Sequence, residues 1–360
     1  MTNAILVHAQ FPLVAGGHVA GIKDVAAQAG VSISTVSYAL SGKRRVSDET
    51  KLRVLEAVRL LDYRPKKGAV MLRQGARTRL IALSSPMHSY TDYSNYATFF
   101  FAVVARARRY HYNVVLLTDE NEEDELLRMS YSGMVDGVLL LDVNTDDERV
   151  AHARTSMVPY VSIGCAENHA DVVSVDMDFE SMGRMAMDEF YRLGHREVLF
   201  IGASEESYRF GSNFLVRTRE AIESRAKVLG VRLDFRYSTG DDARHVEEVI
   251  AEAYKATPGI TAIMAQTNIS HMNNVIGSLS RRGKSIPGDV SLLALSTFGN
   301  ASVMERPIDE IPMQPNKTCS RGVDMLMDRL EGRNLSLGSV ELIPSNYLRR
   351  GSVGPVSTRG

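Results

Sequence analysis

Apolar positions in the first quarter of the chain recur at three- and four-residue spacing. Ile22, Val25, Ala26 and Ala29 share one helical face over 22–29. Val36, Ala39 and Leu40 do the same for a second short helix. Gly30 between them suits a left-handed C-cap, and Ser32 can cap the second helix by accepting from a free N–H of its first turn. Ser47 can cap a third helix, with Asp48 and Glu49 at the positive end of its dipole. Leu52, Leu55, Leu60 and Leu61 are expected to form its apolar face. Three short helices in this order make the minimal helix-turn-helix, and the second would present Ile33, Ser34, Ser37 and Tyr38 outward to base edges.

From Leu80 the pattern changes. Apolar runs at 80–83, 113–118, 135–141 and 158–163 read as strands, with helices over 98–109 and 122–131. The alternation then restarts. Strands are expected at 198–202, 260–265 and 290–295, and helices at 181–193, 214–229 and 269–282. Strands alternating with helices imply parallel sheets covered on both faces. Two such units in succession predict an α/β body of two Rossmann-like lobes, with ligands bound beyond the carboxyl ends of the strands.

Charge sharpens the division. The formal net charge is −1, yet residues 21–80 hold 13 Lys or Arg against 5 Asp or Glu. Residues 1–20 carry no charged side chain, so an acidic body offsets a basic head, as expected of a protein that meets nucleic acid. Cys165 and Cys319 offer neither a metal spacing nor a disulfide framework, consistent with a reducing cytoplasm. No apolar run reaches the roughly 20 residues of a membrane span.

The motifs Gly21-Ile22-Lys23-Asp24-Val25-Ala26, Ala29-Gly30-Val31-Ser32, Thr35-Val36-Ser37, Leu40-Ser41-Gly42 and Val46-Ser47 resemble the head of a lac-repressor (LacI/GalR) family regulator. Asp62-Tyr63-Arg64-Pro65 and Leu72 continue the likeness, which extends more weakly over the rest. The resemblance implies an α/β fold with an N-terminal helix-turn-helix head and two Rossmann-like lobes of the periplasmic-binding-protein type. It implies a head at 21–64, a hinge helix or linker at 65–79 and an effector-binding and dimerisation domain at 80–360. Lobe 1 would hold about 80–176 and 306–340, and lobe 2 about 177–305 and 341–352, with crossings near 176–180, 300–306 and 338–344. Residues 1–20 read as a disordered tail, or as an over-extended reading frame whose true start is Val19.

Ser32, Ile33, Ser34, Thr35, Ser37 and Tyr38 are the implied recognition set on double-stranded DNA. Lys43, Arg44 and Arg45, in the loop before the third helix, could meet phosphates; Tyr63, Lys66 and Lys67 are also expected to bind DNA, and Leu72 matches a leucine that wedges into the minor groove. Gly68 departs from the usual branched residue and costs about 1 kcal/mol of helix propensity relative to Ala. The same resemblance implies a homodimer on a near-palindromic operator. The small-molecule effector, a saccharide or derivative or else a non-sugar metabolite, would be met by Arg217, Asn268, Ser296, Tyr90 and Tyr93. Three positions depart from the sugar-binding pattern: Ile269 comes after Asn268, Ser296-Thr297 stands where a paired acid is usual, and Gly164 replaces an acid. Val135-Asp136-Gly137, Val175-Asp176, Ile286-Pro287-Gly288-Asp289 and Arg350-Gly351-Ser352 read as structural, and His195 as an anchored turn residue. No HExxH, P-loop or GxSxG occurs. The expectation is a cytoplasmic transcription regulator, most simply a repressor, with no catalytic residues, metal, cofactor or membrane partner. A solute-binding protein and an α/β enzyme with a fused head are the rivals.

Overall fold

The computed structural model describes residues 21–41, 46–61, 77–88, 91, 93–118 and 123–357. Two compact units divide at Ala76 and Arg77.

The first unit contains α1 (Ile22–Ala29), α2 (Ile33–Ser41) and α3 (Asp48–Leu60). Gly30 adopts the left-handed conformation (φ 64°), and the Val31 N–H reaches back to the Ala26 carbonyl at 3.0 Å. Ser32 caps α2 by accepting from the Thr35 N–H at 3.1 Å, and Ser47 caps α3 from Thr50 at 3.3 Å. Val25, Ala26 and Ala29 pack with Val36, Ala39, Val54 and Ala57. The face of α3 differs from the expected one. Val54, Ala57, Val58 and Leu61 turn inward, whereas Leu52, Leu55 and Leu60 are exposed. The spacing 54, 57, 58, 61 is itself helical, and smaller side chains let α1 approach closely.

The second unit holds two parallel sheets. The first contains β1 (Leu80–Ser84), β2 (Asn113–Leu117), β3 (Gly137–Leu140), β4 (Tyr160–Ile163), β5 (Val173–Met177) and β11 (Val340–Ile343), in the order β11-β5-β4-β3-β1-β2. The second contains β6 (Glu197–Gly202), β7 (Arg232–Tyr237), β8 (Ala262–Ala265), β9 (Ser291–Leu295) and β10 (Asp309–Ile311), in the order β10-β9-β8-β6-β7. Central strands such as β3, β4, β8 and β9 are buried along their whole length, which is why they read as unbroken apolar runs.

Helices α4 (Tyr93–Arg109), α5 (Glu123–Tyr131) and α6 (Glu148–Ala151) belong to the first lobe. Helices α7 (Phe179–Arg192), α8 (Glu205–Arg209), α9 (Asn213–Leu229), α10 (Ala243–Ala256) and α11 (Ile269–Arg281) belong to the second. Helix α12 (Pro315–Leu330) returns to the first sheet, where Val323 and Leu326 join Val161, Ile163 and Val175. Glycine permits this approach on both partners. A Cβ on Gly322 would sit 2.5 Å from Ile163, and one on Gly137 2.8 Å from Leu326.

The lobe boundaries need correction. The chain stays in the second sheet through Asp309–Ile311, so its middle crossing falls between Ile311 and Pro315 rather than at 300–306. Residues 341–343 lie in β11 and belong to the first lobe, not the second. The reason lies beyond β11. Asp309 accepts the N–H groups of Arg350 (2.7 Å), Gly351 (2.7 Å) and Ser352 (3.0 Å) and the Tyr347 hydroxyl (2.8 Å). These bonds tie the last segment of lobe 2 to β10. His195 is anchored at both ring nitrogens, by the Thr261 hydroxyl (2.9 Å) and the Gly354 carbonyl (3.0 Å).

Candidate functional site

The outward face of α2 is the first candidate. Ile33 is 45% exposed at its start. Ser34 is exposed, and Thr35, Ser37 and Tyr38 are half-buried. The Ser32 hydroxyl lies 2.8 Å from both the Ser34 and the Thr35 hydroxyls while it caps the helix, so it braces the helix start. Lys43, Arg44, Arg45, Tyr63, Lys66, Lys67 and Leu72 lie outside the described residues, as do 1–20.

The second candidate is a cavity of about 560 Å³ between the two lobes, beyond the carboxyl ends of their strands. Lobe 1 lines it with Tyr96, Phe99, Asp142 and Asp176, and lobe 2 with Phe214, Asp241, Gln266 and Phe298. Bonds across the cleft hold the lobes together here. The Thr145 N–H donates to the Gly211 carbonyl at 2.9 Å, and the Asn213 amide donates to the Cys165 carbonyl at 2.7 Å. The Phe99 and Phe298 rings meet edge to face, 5.7 Å between centroids.

The residues expected to grip an effector divide. Ser296 and Asn268 line the cavity. Asn268 caps α11 by accepting from the His271 N–H (2.9 Å), and its amide donates to Asp241 (2.6 Å). Ser296, with φ of 56°, accepts from the Gln266 amide at 2.9 Å. Arg217 stands outside the lining. Its guanidinium is bidentate to Glu180 (2.7 and 2.8 Å) and reaches Asp176 (2.5 Å) and Asn213 (3.0 Å). Burial alone would lower the Arg217 pKa; Glu180 and Asp176 reverse this and hold it charged. Tyr93 is 67% exposed and does not line the cavity; Tyr96 and Phe99, three and six residues on, do. Tyr90 lies outside the described residues.

Sequence reasoning missed the acids that line the cavity. Asp142 and Asp176 each come after an apolar strand run, a signal that placed them at strand ends without revealing that both ends face one space. Burial pushes the Asp142 carboxyl up, against a hydrogen bond from the Tyr96 hydroxyl. Burial likewise pushes Asp176 up to about 6, against Arg217 and the backbone N–H groups of Met177 and Cys165. Asp241 is held low, chiefly by hydrogen bonding to His271. Among the described residues, no cluster could hold a metal ion, and no helix is long and apolar enough to cross a membrane.

Comparison with known proteins finds matches for both parts of the chain. Residues 21–66 match the model for bacterial regulatory proteins of the lacI family, and 187–353 match the periplasmic binding protein-like domain. Catabolite control protein A of Priestia megaterium is 30% identical over 306 residues, covering 82% of this chain and 87% of that protein. The HTH-type transcriptional repressor PurR of Mannheimia succiniciproducens is 25% identical, covering 92% and 98%. Among solved structures, a transcriptional regulator CelR–cellobiose complex aligns with a TM-score of 0.64 at 23% identity, covering 92% of this chain and 99% of that one. The lac repressor dimer bound to operator and the anti-inducer ONPF aligns with a TM-score of 0.73 at 17% identity, covering 94% and 100%. These two likenesses speak to fold alone. The relatives are transcription regulators rather than enzymes. The chain belongs to the lacI family of bacterial regulatory proteins and is a DNA-binding transcription regulator with an effector-binding domain.

Proposed function

We propose that this regulator is a homodimeric repressor that holds a near-palindromic operator in the cytoplasm and answers to a hydroxyl-rich effector, a saccharide or a derivative, in the interlobe cavity. The observation that carries the effector reading is the lining itself: carboxylates and amides beside the faces of Tyr96, Phe99 and Phe298. Carboxylates accept ring hydroxyls, and aromatic faces cover the apolar side of a sugar. Cellobiose in the CelR complex fits the same class.

Pairing is supported by α4, which exposes Phe101 (73%) and Val104 beside exposed Leu116 of the edge strand β2. A second copy would cover that apolar face, and twofold symmetry would set the symmetry of the operator. On the DNA, Ser32, Ile33, Ser34, Thr35, Ser37 and Tyr38 would face the major groove, with Arg45, Tyr63, Lys66 and Lys67 on phosphates. Leu72 from each subunit would open a central pyrimidine–purine step, the cheapest to unstack. An effector shifts DNA affinity only through its different affinity for the two states of the lobes.

The test is selection of bound sequences from random duplex pools at stated salt, with wild type and Leu72→Ala. A single palindrome enriched by wild type and lost by the variant is the expected result. Sequence-blind, salt-sensitive binding by both would overturn the operator reading. Release of that palindrome by a saccharide pool, absent in a variant whose cavity is filled by Ala203→Trp, tests the effector.

A further inference from the structure

The charge lining the cavity is one-sided. Its described lining residues include Asp142, Asp176 and Asp241 and no Lys, Arg or His. Arg217, outside the lining, already serves two carboxylates. Each lining amide donates within the protein: Asn213 to the Cys165 carbonyl, Asn268 to Asp241, and Gln266 to the Ser296 and Thr218 hydroxyls. The Thr218 hydroxyl donates to the Phe214 carbonyl at 2.7 Å, so toward Gln266 it can only accept. That fixes the Gln266 amide with its nitrogen toward Thr218. Its Oε1, on a side chain only 3% exposed, is buried with no partner. A buried acceptor without a donor is costly and points to a group that arrives with the ligand.

Asp142 lines the same cavity from lobe 1. Its neighbour Arg149 is spent elsewhere, paired with Asp147 at 2.9 and 2.6 Å and donating to the carbonyls of Ser84 (3.2 Å), Leu141 (3.2 Å) and Asp142 (3.1 Å). Burial pushes the Asp142 carboxyl up, and a hydrogen bond from the Tyr96 hydroxyl and the charge of Arg149 offset this only in part. The Tyr96, Phe99 and Phe298 rings line the same cavity, and aromatic faces attract cations.

Resting on the reading of this cavity as the effector site, we propose that the effector is a polyhydroxylated amine of the amino-sugar class, its ammonium group held at Asp142 and a hydroxyl or N–H donated to the Gln266 Oε1. An ammonium brings three donors and no acceptor, the complement of what the cavity lacks. A carboxylate or phosphate on the same scaffold would meet like charge with no cation to receive it.

Isothermal titration at pH 7 with matched triads decides the matter: glucosamine, galactosamine and mannosamine, each beside its neutral parent sugar and its uronate. One amine should bind about tenfold more tightly than its neutral parent, a charge-assisted gain, while its uronate gives no heat. Asp142→Asn should cut the amine's advantage over its neutral parent to about threefold or less. The wild-type ranking alone decides the charge preference, so a failure of Asp142→Asn to fold does not remove the test. A uronate or a neutral sugar that binds as tightly as the amine overturns the proposal, as does a panel in which nothing binds. Binding that survives Ala203→Trp would lie elsewhere and overturn the effector-site reading instead.

Discussion

In the first unit, six of the side chains proposed to meet DNA fall between Ser32 and Tyr38, around the buried Val36, at the start of one helix. The framework behind them is a few small residues: Val25, Val36 and Val54 fully buried among alanines. In the second unit, the cavity draws on loops from Thr91 to Thr318, and large apolar clusters stand behind both walls. One site is local and thinly supported. The other is assembled from the ends of both sheets and deeply supported. Damage should therefore be all-or-none in the head and graded in the body.

The largest expected effect is in the head. Val36→Asp would place an unpaired charge in a core where Val36 is fully buried. A domain of about 45 residues carries only about 2–7 kcal/mol of stability in total, less than such a burial can cost. Selective operator binding should fall by more than about 100-fold, the loss expected once the folded head is rare. The calorimetric transition of the body should not move. A body transition that shifts with the head would break the comparison. Next in size is Asp309→Ala. It strands three backbone N–H groups that the carboxylate now satisfies beside β10. We expect a loss of about 3–5 kcal/mol in urea unfolding of the body, with Asp309→Asn in between.

The same contrast explains what could be read from the sequence. Gly30, Ser32 and Ser47 act on neighbours within five residues, so the turn and both caps were legible. Most central strands announced themselves as apolar runs, as did the edge strand β2. The edge strands β10 and β11 did not. Asp309-Glu310-Ile311 and Val340-Glu341-Leu342-Ile343 are short and carry acids, and their sheet membership depends on partners far away in the chain. The Leu52-Leu55-Leu60 face was misjudged because side-chain size outweighed spacing, and the spacing of Val54, Ala57 and Val58 decides what packs. Arg217 matched a ligand-contacting position, yet Glu180 and Asp176 claim it, and a single sequence does not reveal that competition. Asp142 and Gln266 are 124 positions apart, and only the fold brings them to one cavity.

A smaller, pH-dependent effect separates the two units further. Asp176 titrates at about 6 in the folded body, above its ordinary value of 3.8. The native state therefore holds this proton more tightly than the unfolded chain does. The group's contribution to stability is complete below about pH 4 and is lost as pH rises through 6, a change of about 2–3 kcal/mol. Asp176→Asn should flatten that part of the body's stability–pH curve, with Glu180 still present to meet Arg217. Unfolding measured at half-unit steps from pH 4 to 7 checks it; an unchanged slope would assign the dependence to other groups.

The smallest effect uses one device placed in both regions. Ser32 caps α2 and Asn268 caps α11, each accepting one backbone N–H, at 3.1 and 2.9 Å. Replacing either by Ala should cost about 1 kcal/mol. The same free energy does not produce the same shift in melting temperature, because the entropy of unfolding grows with the size of the cooperative unit. In a small head, 1 kcal/mol corresponds to about 4–8 °C or more, and in a large body to about 2–4 °C or less. Ser32→Ala should therefore lower the head transition by at least twice what Asn268→Ala takes from the body. Equal shifts would mean that the head does not melt as a unit of its own, and the expectation that Val36→Asp spares the body would fall with it.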